Sequence, residues 1–144
     1  MQHFTDPTNR TAEQVLSDHR AALAEGDIDR DVQCNYAADA VVISDAGVDR
    51  GREAIRKRLL EIAALFRDAV PALTAQTIVP LDEATSMARV LFSVATPGIE
   101  VADGVDTYII KNGQIHWQSA HGRPVFHHHR SCRPRHYEAP ALGL

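Results

Sequence analysis

The chain has 144 residues, 44% of them apolar and 24% charged, an ordinary globular composition that suits one domain with a sizeable core. Its formal charge of −4 hides an asymmetry, because residues 1 to 122 hold eleven basic against eighteen acidic side chains, a balance of −7. A part this acidic repels phosphate backbones and no apolar run is long enough to span a bilayer, so neither a nucleic-acid nor a membrane partner is expected. The start, MQHFTDPTNR, has neither a basic n-region nor an apolar h-region, and two cysteines, Cys34 and Cys132, make no disulfide framework; a cytoplasmic protein is expected.

Thr11-Ala12-Glu13-Gln14 has the form of a capping box, and Val15, Leu16, His19 and Leu23 follow at helical spacing until Gly26. His19 sits on the apolar stripe of this first helix, as either a core histidine with a satisfied partner or a proton carrier. Asp27 or Asp29 caps a second, shorter helix in which Ile28, Val32 and Tyr36 recur every four residues. Residues 37 to 40 turn the chain into a short strand, Val41 to Ser44, and Asp45 to Gly51 reads as a polar loop. From Arg52, the spacing of Ile55, Leu59, Ile62, Leu65 and Phe66 specifies a third helix, with Arg52, Arg56, Lys57 and Arg58 on its wet face.

From Ala72 onward every signal is strand: Leu73 to Val79, Ser86 to Thr96, Ile99 to Lys111 and Gln114 to His121. The expected class is α+β in the order ααβαββββ, a strongly curved, cone-shaped, mostly antiparallel sheet wrapped round three helices, with a conical pocket between them. In the last hairpin Asn112-Gly113 supplies a type I′ turn, and Asp106 stands in the middle of a strand that is otherwise β-branched or aromatic. Such a carboxyl is either exposed, for instance paired with Arg89, or enclosed in an apolar cavity where it stays protonated and donates a hydrogen bond. On the return strand, period two groups His116, Gln118 and Ala120 on one face and Trp117, Ser119 and His121 on the other.

Residues 123 to 144 break from this pattern, with four of the eight histidines, three prolines and four arginines, and are expected to be a polar tail outside a domain of residues 1 to 122. His127, His129, Cys132 and His136 are metal-capable, but their spacing matches no recognised zinc pattern, and no metal site is expected.

With that order in place, GDI (26 to 28), YAADAVVIS (36 to 44), GREAI (51 to 55) and GVDTYIIKNGQI (104 to 115) make residues 11 to 122 resemble the nuclear transport factor 2-like superfamily, in its SnoaL-like branch. The fold hosts isomerases, dehydratases, cyclases and non-catalytic binding domains. Ketosteroid isomerase, within that superfamily, uses a tyrosine and a protonated aspartic acid as oxyanion donors and a second aspartate as base. The resemblance places Asp106 at the protonated acid and His19 at the tyrosine. It places Ser44 where the base belongs, with Asp45 one residue further on. What it implies is a cofactor-independent acid/base enzyme on a small apolar carbonyl or hydroxyl compound. Asp106, His19 and Asp45 are the catalytic candidates, and Ser44, Tyr36, Tyr108, His116 and Gln118 the pocket residues. The alternative is a non-catalytic ligand-binding or dimerisation module of the same fold. The resemblance also implies a homodimer through the outer sheet face that carries Trp117.

Overall fold

The structure is a computed structural model that describes residues 9–67 and 69–127. Thr11 caps the first helix, α1 (Ala12–Ala24): its side chain accepts from the Gln14 amide and the Gln14 side chain accepts from the Thr11 amide, the reciprocal box that the sequence spells. Gly26, at φ 71°, takes the left-handed conformation that ends α1. Asp27 then accepts from the Arg30 amide and starts α2 (Ile28–Asn35). The connection is so short that the two helices pack side by side as a hairpin. The third helix, α3 (Gly51–Leu65), follows the sheet's first two strands. No described helix is long and apolar enough to cross a membrane.

Among the described residues, seven strands form one curved, unclosed sheet: β1 (Tyr36–Ser44), β2 (Gly47–Arg50), β3 (Ala72–Pro80), β4 (Thr85–Ala95), β5 (Ile99–Lys111), β6 (Gln114–His121) and β7 (Pro124–Phe126). The spatial order is β2-β1-β6-β5-β4-β3, with β7 beside β5. β1 and β6 run parallel, and the other pairs are antiparallel. The α+β class and the order of the long elements are as the sequence indicates.

Three expectations about extents are corrected. The strand read from Val41 begins at Tyr36, because residues 37–40 bulge within it: Tyr36 lies opposite Ile115, and Val41 opposite Trp117 only two residues on. The polar loop contains a short strand, β2, folded back on β1. Residues 124–126, expected to form no packed element, are the strand β7, which pairs with Ile99–Val101, and Phe126 packs against the cluster of Phe66, Phe92, Val94 and Ile99. Of the expected metal-capable set, His127 lies beside Glu100 at 3.3 Å, while His129, Cys132 and His136 fall outside the described residues.

Register decides which side chains face the helices. Directly opposed residues make one inner row, Ile78, Ala88, Tyr108, Gln118 and Val42, and a neighbouring one, Gln76, Val90, Asp106 and Ala120. The larger core cluster fills the space between these rows and the helices, with Val15, Leu16, Val32, Tyr36, Ile55 and Ile115 almost wholly enclosed. Arg52 of α3 reinforces the closure by donating from Nε and from one terminal nitrogen to the Tyr36 carbonyl, at 2.9 and 2.8 Å.

Candidate active site

Between the inner rows and the helices lies a cavity of about 140 Å³. By comparison, cavities of about 150 Å³ hold a benzene-sized ligand. Leu23, Leu59, Ile62, Val90 and Phe92 make its apolar walls, His19, Tyr36, Tyr108, Asp106 and Gln118 form one polar cluster in the lining, and Arg20 and Arg58 contribute elsewhere. Mostly apolar surface with a few convergent polar groups is the usual make-up of a small-molecule site.

The helix hairpin delivers the histidine. His19 falls on the buried stripe of α1 with Val15, Leu16 and Ala22 and is 5% exposed. Asp31 falls on the buried stripe of α2 with Ile28, Val32 and Asn35 and is 0% exposed. Packing the helices side by side brings Nδ1 of His19 to 2.8 Å from both carboxylate oxygens of Asp31. Nδ1–H therefore donates to Asp31, and Nε2 is turned towards the cavity, 3.4 Å from the Tyr108 hydroxyl. Burial is the largest single influence on the imidazole and opposes its charge. The charge and hydrogen bond of Asp31, with the charge of Asp106, outweigh it and raise the pKa above the ordinary 6.5.

A second buried layer holds Asp31. Asn35 donates through Nδ2 to Asp31 at 2.9 Å and to Asp18 at 3.0 Å. Its oxygen accepts from Arg10 at 2.8 Å, and Arg10 also donates to the carbonyls of Cys34 and Gly113. With two carboxylates on one side and a guanidinium on the other, the amide has one satisfactory orientation.

The strands deliver the rest. Tyr108 donates to Asp106 Oδ2 at 3.1 Å. Tyr36 donates to Gln118 Oε1 at 2.6 Å, which turns the Gln118 amide nitrogen towards Asp106 and Tyr108, at 3.5 Å from each. The other Asp106 oxygen, Oδ1, is enclosed and has no hydrogen-bond partner. Burial pushes the Asp106 carboxyl up from 3.8 to about 6, against the opposing pull of Tyr108, His19 and Gln118. Burial likewise raises both tyrosine hydroxyls well above their ordinary 10.0, so they act as neutral donors. Asp31, His19, Tyr108 and Asp106 thus form an unbroken row of titratable side chains in polar contact.

Of the residues singled out in the sequence, His19, Tyr36, Tyr108, Asp106 and Gln118 come together here. Arg89 lies opposite Thr107 and is exposed, so it is not the partner of Asp106. Asp45, Ser44 and His116 do not line the cavity. Asp45 sits exposed in the β1–β2 turn, 3.5 Å from His121, and the bulge that could have redirected it lies upstream at residues 37–40. Ser44 spends its hydroxyl on the Ala46 amide in the same turn. His116 is displaced by a bulge in β6: Ile109 opposes Trp117 while Ile110 opposes Ile115, so His116 is the extra residue and Ile115 takes the inward place. Arg58, expected on the wet face of α3, lines the cavity and is held by Asp49 and Glu61, each at 3.0 Å.

Sequence reasoning missed Asp31. The signal was present, because Asp31 is three residues beyond Ile28 and one before Val32, on the apolar stripe itself. Among the described residues no group of three or more His, Cys, Asp or Glu is placed to hold a metal ion.

The arrangement of helices and curved sheet is that of the nuclear transport factor 2-like, cystatin-like proteins. A cystatin-like protein of unknown function from Nostoc punctiforme superposes with a TM-score of 0.62 at 12% identity, over 78% of this chain and 93% of its own. A putative polyketide cyclase from Sinorhizobium meliloti gives 0.59 at 19%, over 81% and 100%. A putative scytalone dehydratase from Novosphingobium aromaticivorans gives 0.58 at 17%, over 88% and 92%. No protein-family profile and no curated protein matches the sequence.

Proposed function

We propose that the protein is a cytoplasmic, cofactor-independent acid/base enzyme acting on a small, mostly apolar carbonyl or hydroxyl compound, of the isomerase, dehydratase or cyclase type. The observation that carries this reading is the enclosed Asp106 carboxyl, with Oδ1 unpartnered and Oδ2 in line with Tyr108 and the His19–Asp31 pair beside an apolar cavity. In the active form Asp106 holds a proton and hydrogen-bonds the substrate oxygen as negative charge develops there, while neutral His19 takes a proton through Nε2. Asp31 then stabilises the imidazolium. Burial pushes the Asp106 carboxyl up to about 6, so it holds a proton closer to neutral pH than a free carboxyl does, and Tyr108 lies between it and His19. The names of the cyclase and dehydratase neighbours support the same class of chemistry.

The test is proton exchange at the α-carbon of small cyclic ketones in deuterated water, followed by proton NMR. Exchange by the wild type that falls at least about a hundredfold in both Asp106→Asn and His19→Ala is the expected result. Exchange that is absent, or unchanged in both variants, overturns the reading.

A second reading has one observation in its favour: no carboxyl stands at Ser44, and Asp45 is turned away, so the acid that serves as base in the isomerase comparison has no counterpart. On that reading the protein binds a ligand without turning it over. In either case we propose that a second copy covers the outer sheet face, where Ile43, Val79, Met87 and Trp117 are each exposed by 40% or more.

A further inference from the structure

The Arg20 guanidinium lines the cavity and has no role in the acid/base reading. Two arginines contribute to the lining, and they differ in how their charge is met. Arg58 is neutralised by Asp49 and Glu61. Arg20 donates from one terminal nitrogen to the neutral side-chain oxygen of Gln76 at 2.6 Å, and among the described residues no carboxylate pairs with it. Gln76 lies directly opposite Val90, and Val90 lines the cavity, so the anchoring amide fixes the guanidinium against the inner face of the sheet. The charge is close enough to disfavour protonation of His19. Arg20 is only partly buried, and Val70 and Leu73, which also line the cavity, are substantially exposed.

From this placement we propose that the ligand of the cavity is a monocarboxylate, its apolar body between Leu23, Leu59 and Phe92, its carboxylate on Arg20, and its reacting end towards Asp106 and His19. Four points support a singly charged anion. One guanidinium with no carboxylate partner among the described residues matches one negative charge, and its fork can donate two parallel hydrogen bonds to a carboxylate. Gln76 holds the fork in place without spending its charge. An apolar body fits the walls between the two polar ends. Arg58, the other guanidinium of the lining, is already held by two carboxylates and offers no second positive charge. The inference rests on the proposed function only in seating the ligand in this cavity.

The experiment compares phenylacetate with its uncharged isostere phenylacetamide, by NMR titration of the methyl groups of Val42, Val90 and Ala120 at neutral pH. The expected result is that the carboxylate binds the wild type at least about fivefold more tightly than the amide. The preference is lost in Arg20→Gln and partly kept in Arg20→Lys, while the amide binds all three proteins alike. Equal binding of the two probes to the wild type, or a preference that survives in Arg20→Gln, overturns the carboxylate assignment and leaves the acid/base reading standing. If neither probe perturbs the cavity methyls, the ligand site itself is refuted, and the proposed function falls with it.

Discussion

His19 and Asp31 face each other at 2.8 Å across the α1–α2 hairpin, both buried, with the imidazole between the carboxylate and the Tyr108 hydroxyl at the cavity wall. This relationship sets the tautomer of the histidine and hence which nitrogen meets a ligand. Removing the charge while keeping the shape, by Asp31→Asn, leaves burial less opposed, so the pKa of His19 is expected to fall below 6.5. Breaking a buried pair from one side also costs about 3 kcal/mol or more. Nitrogen chemical shifts of the ring against pH, with chemical denaturation, check both outcomes. A His19 that titrates as in the wild type would show that Asp31 does not govern it.

Asp106 makes stability depend on pH with a definite sign. Its folded value of about 6 exceeds the ordinary 3.8, so the folded protein binds the proton more tightly than the unfolded chain does. Its contribution is fully favourable below about pH 4 and is lost as pH rises to about 6, a difference of about 3 kcal/mol. His19, also raised, adds the same sign: its contribution is present below 6.5 and lost as pH rises through the folded value. Asp106→Asn is therefore expected to melt at a higher temperature than the wild type at neutral pH, with the gap closing on acidification through the window from 6 to 4. A constant gap would mean that the carboxyl is solvated.

Asn35 ties the half-buried Arg10 to the catalytic candidates without touching the cavity. Asn35→Ala removes a donor from Asp31 and from Asp18 and an acceptor from Arg10, at a cost of about 1–3 kcal/mol. Asp31 then holds its negative charge with one hydrogen bond fewer and attracts the proton of His19 more strongly. A further rise in the His19 pKa is the expected signature. Loss of stability without any movement of the His19 ring shifts would assign Asn35 a structural role alone.

Gly104 and Phe92 oppose each other across β5 and β4, and the Phe92 ring lies over the glycine where a Cβ would stand. Phe92 also lines the cavity. Gly104→Ala must push the ring aside, at a cost of about 1–3 kcal/mol from overpacking. Weakened binding of apolar ligands should accompany the loss. Unchanged stability and ligand affinity would show that the ring has another place to go.

On the outer face, Val79, Met87, Ile109, Trp117 and Val41 stand in one cross-strand row. Sedimentation is expected to show a dimer for the wild type and a monomer for Trp117→Glu, because a carboxylate at a residue now 51% exposed becomes costly once a second copy covers it. A wild-type monomer at high concentration would refute pairing through this face.

Much of the architecture is determined by local rules. The Thr11–Gln14 box, the Gly26 stop and the Asn112-Gly113 turn each act within a few residues, so α1, its end and the β5–β6 hairpin follow from the chain itself. The apolar stripe that buries His19 and the isolated acid at Asp106 are likewise visible along single elements. Tertiary structure alone decided what those residues meet. Asp31 became the partner of His19 because two helices packed side by side. His116 lost its inward place to Ile115 because a bulge in β6 shifted the pleat. Asp45 was left outside because the slack in β1 was taken up at residues 37–40 and not at its end. Alternation and helical periodicity are properties of one element, whereas bulges and helix contacts arise only when neighbouring elements compete for the same core.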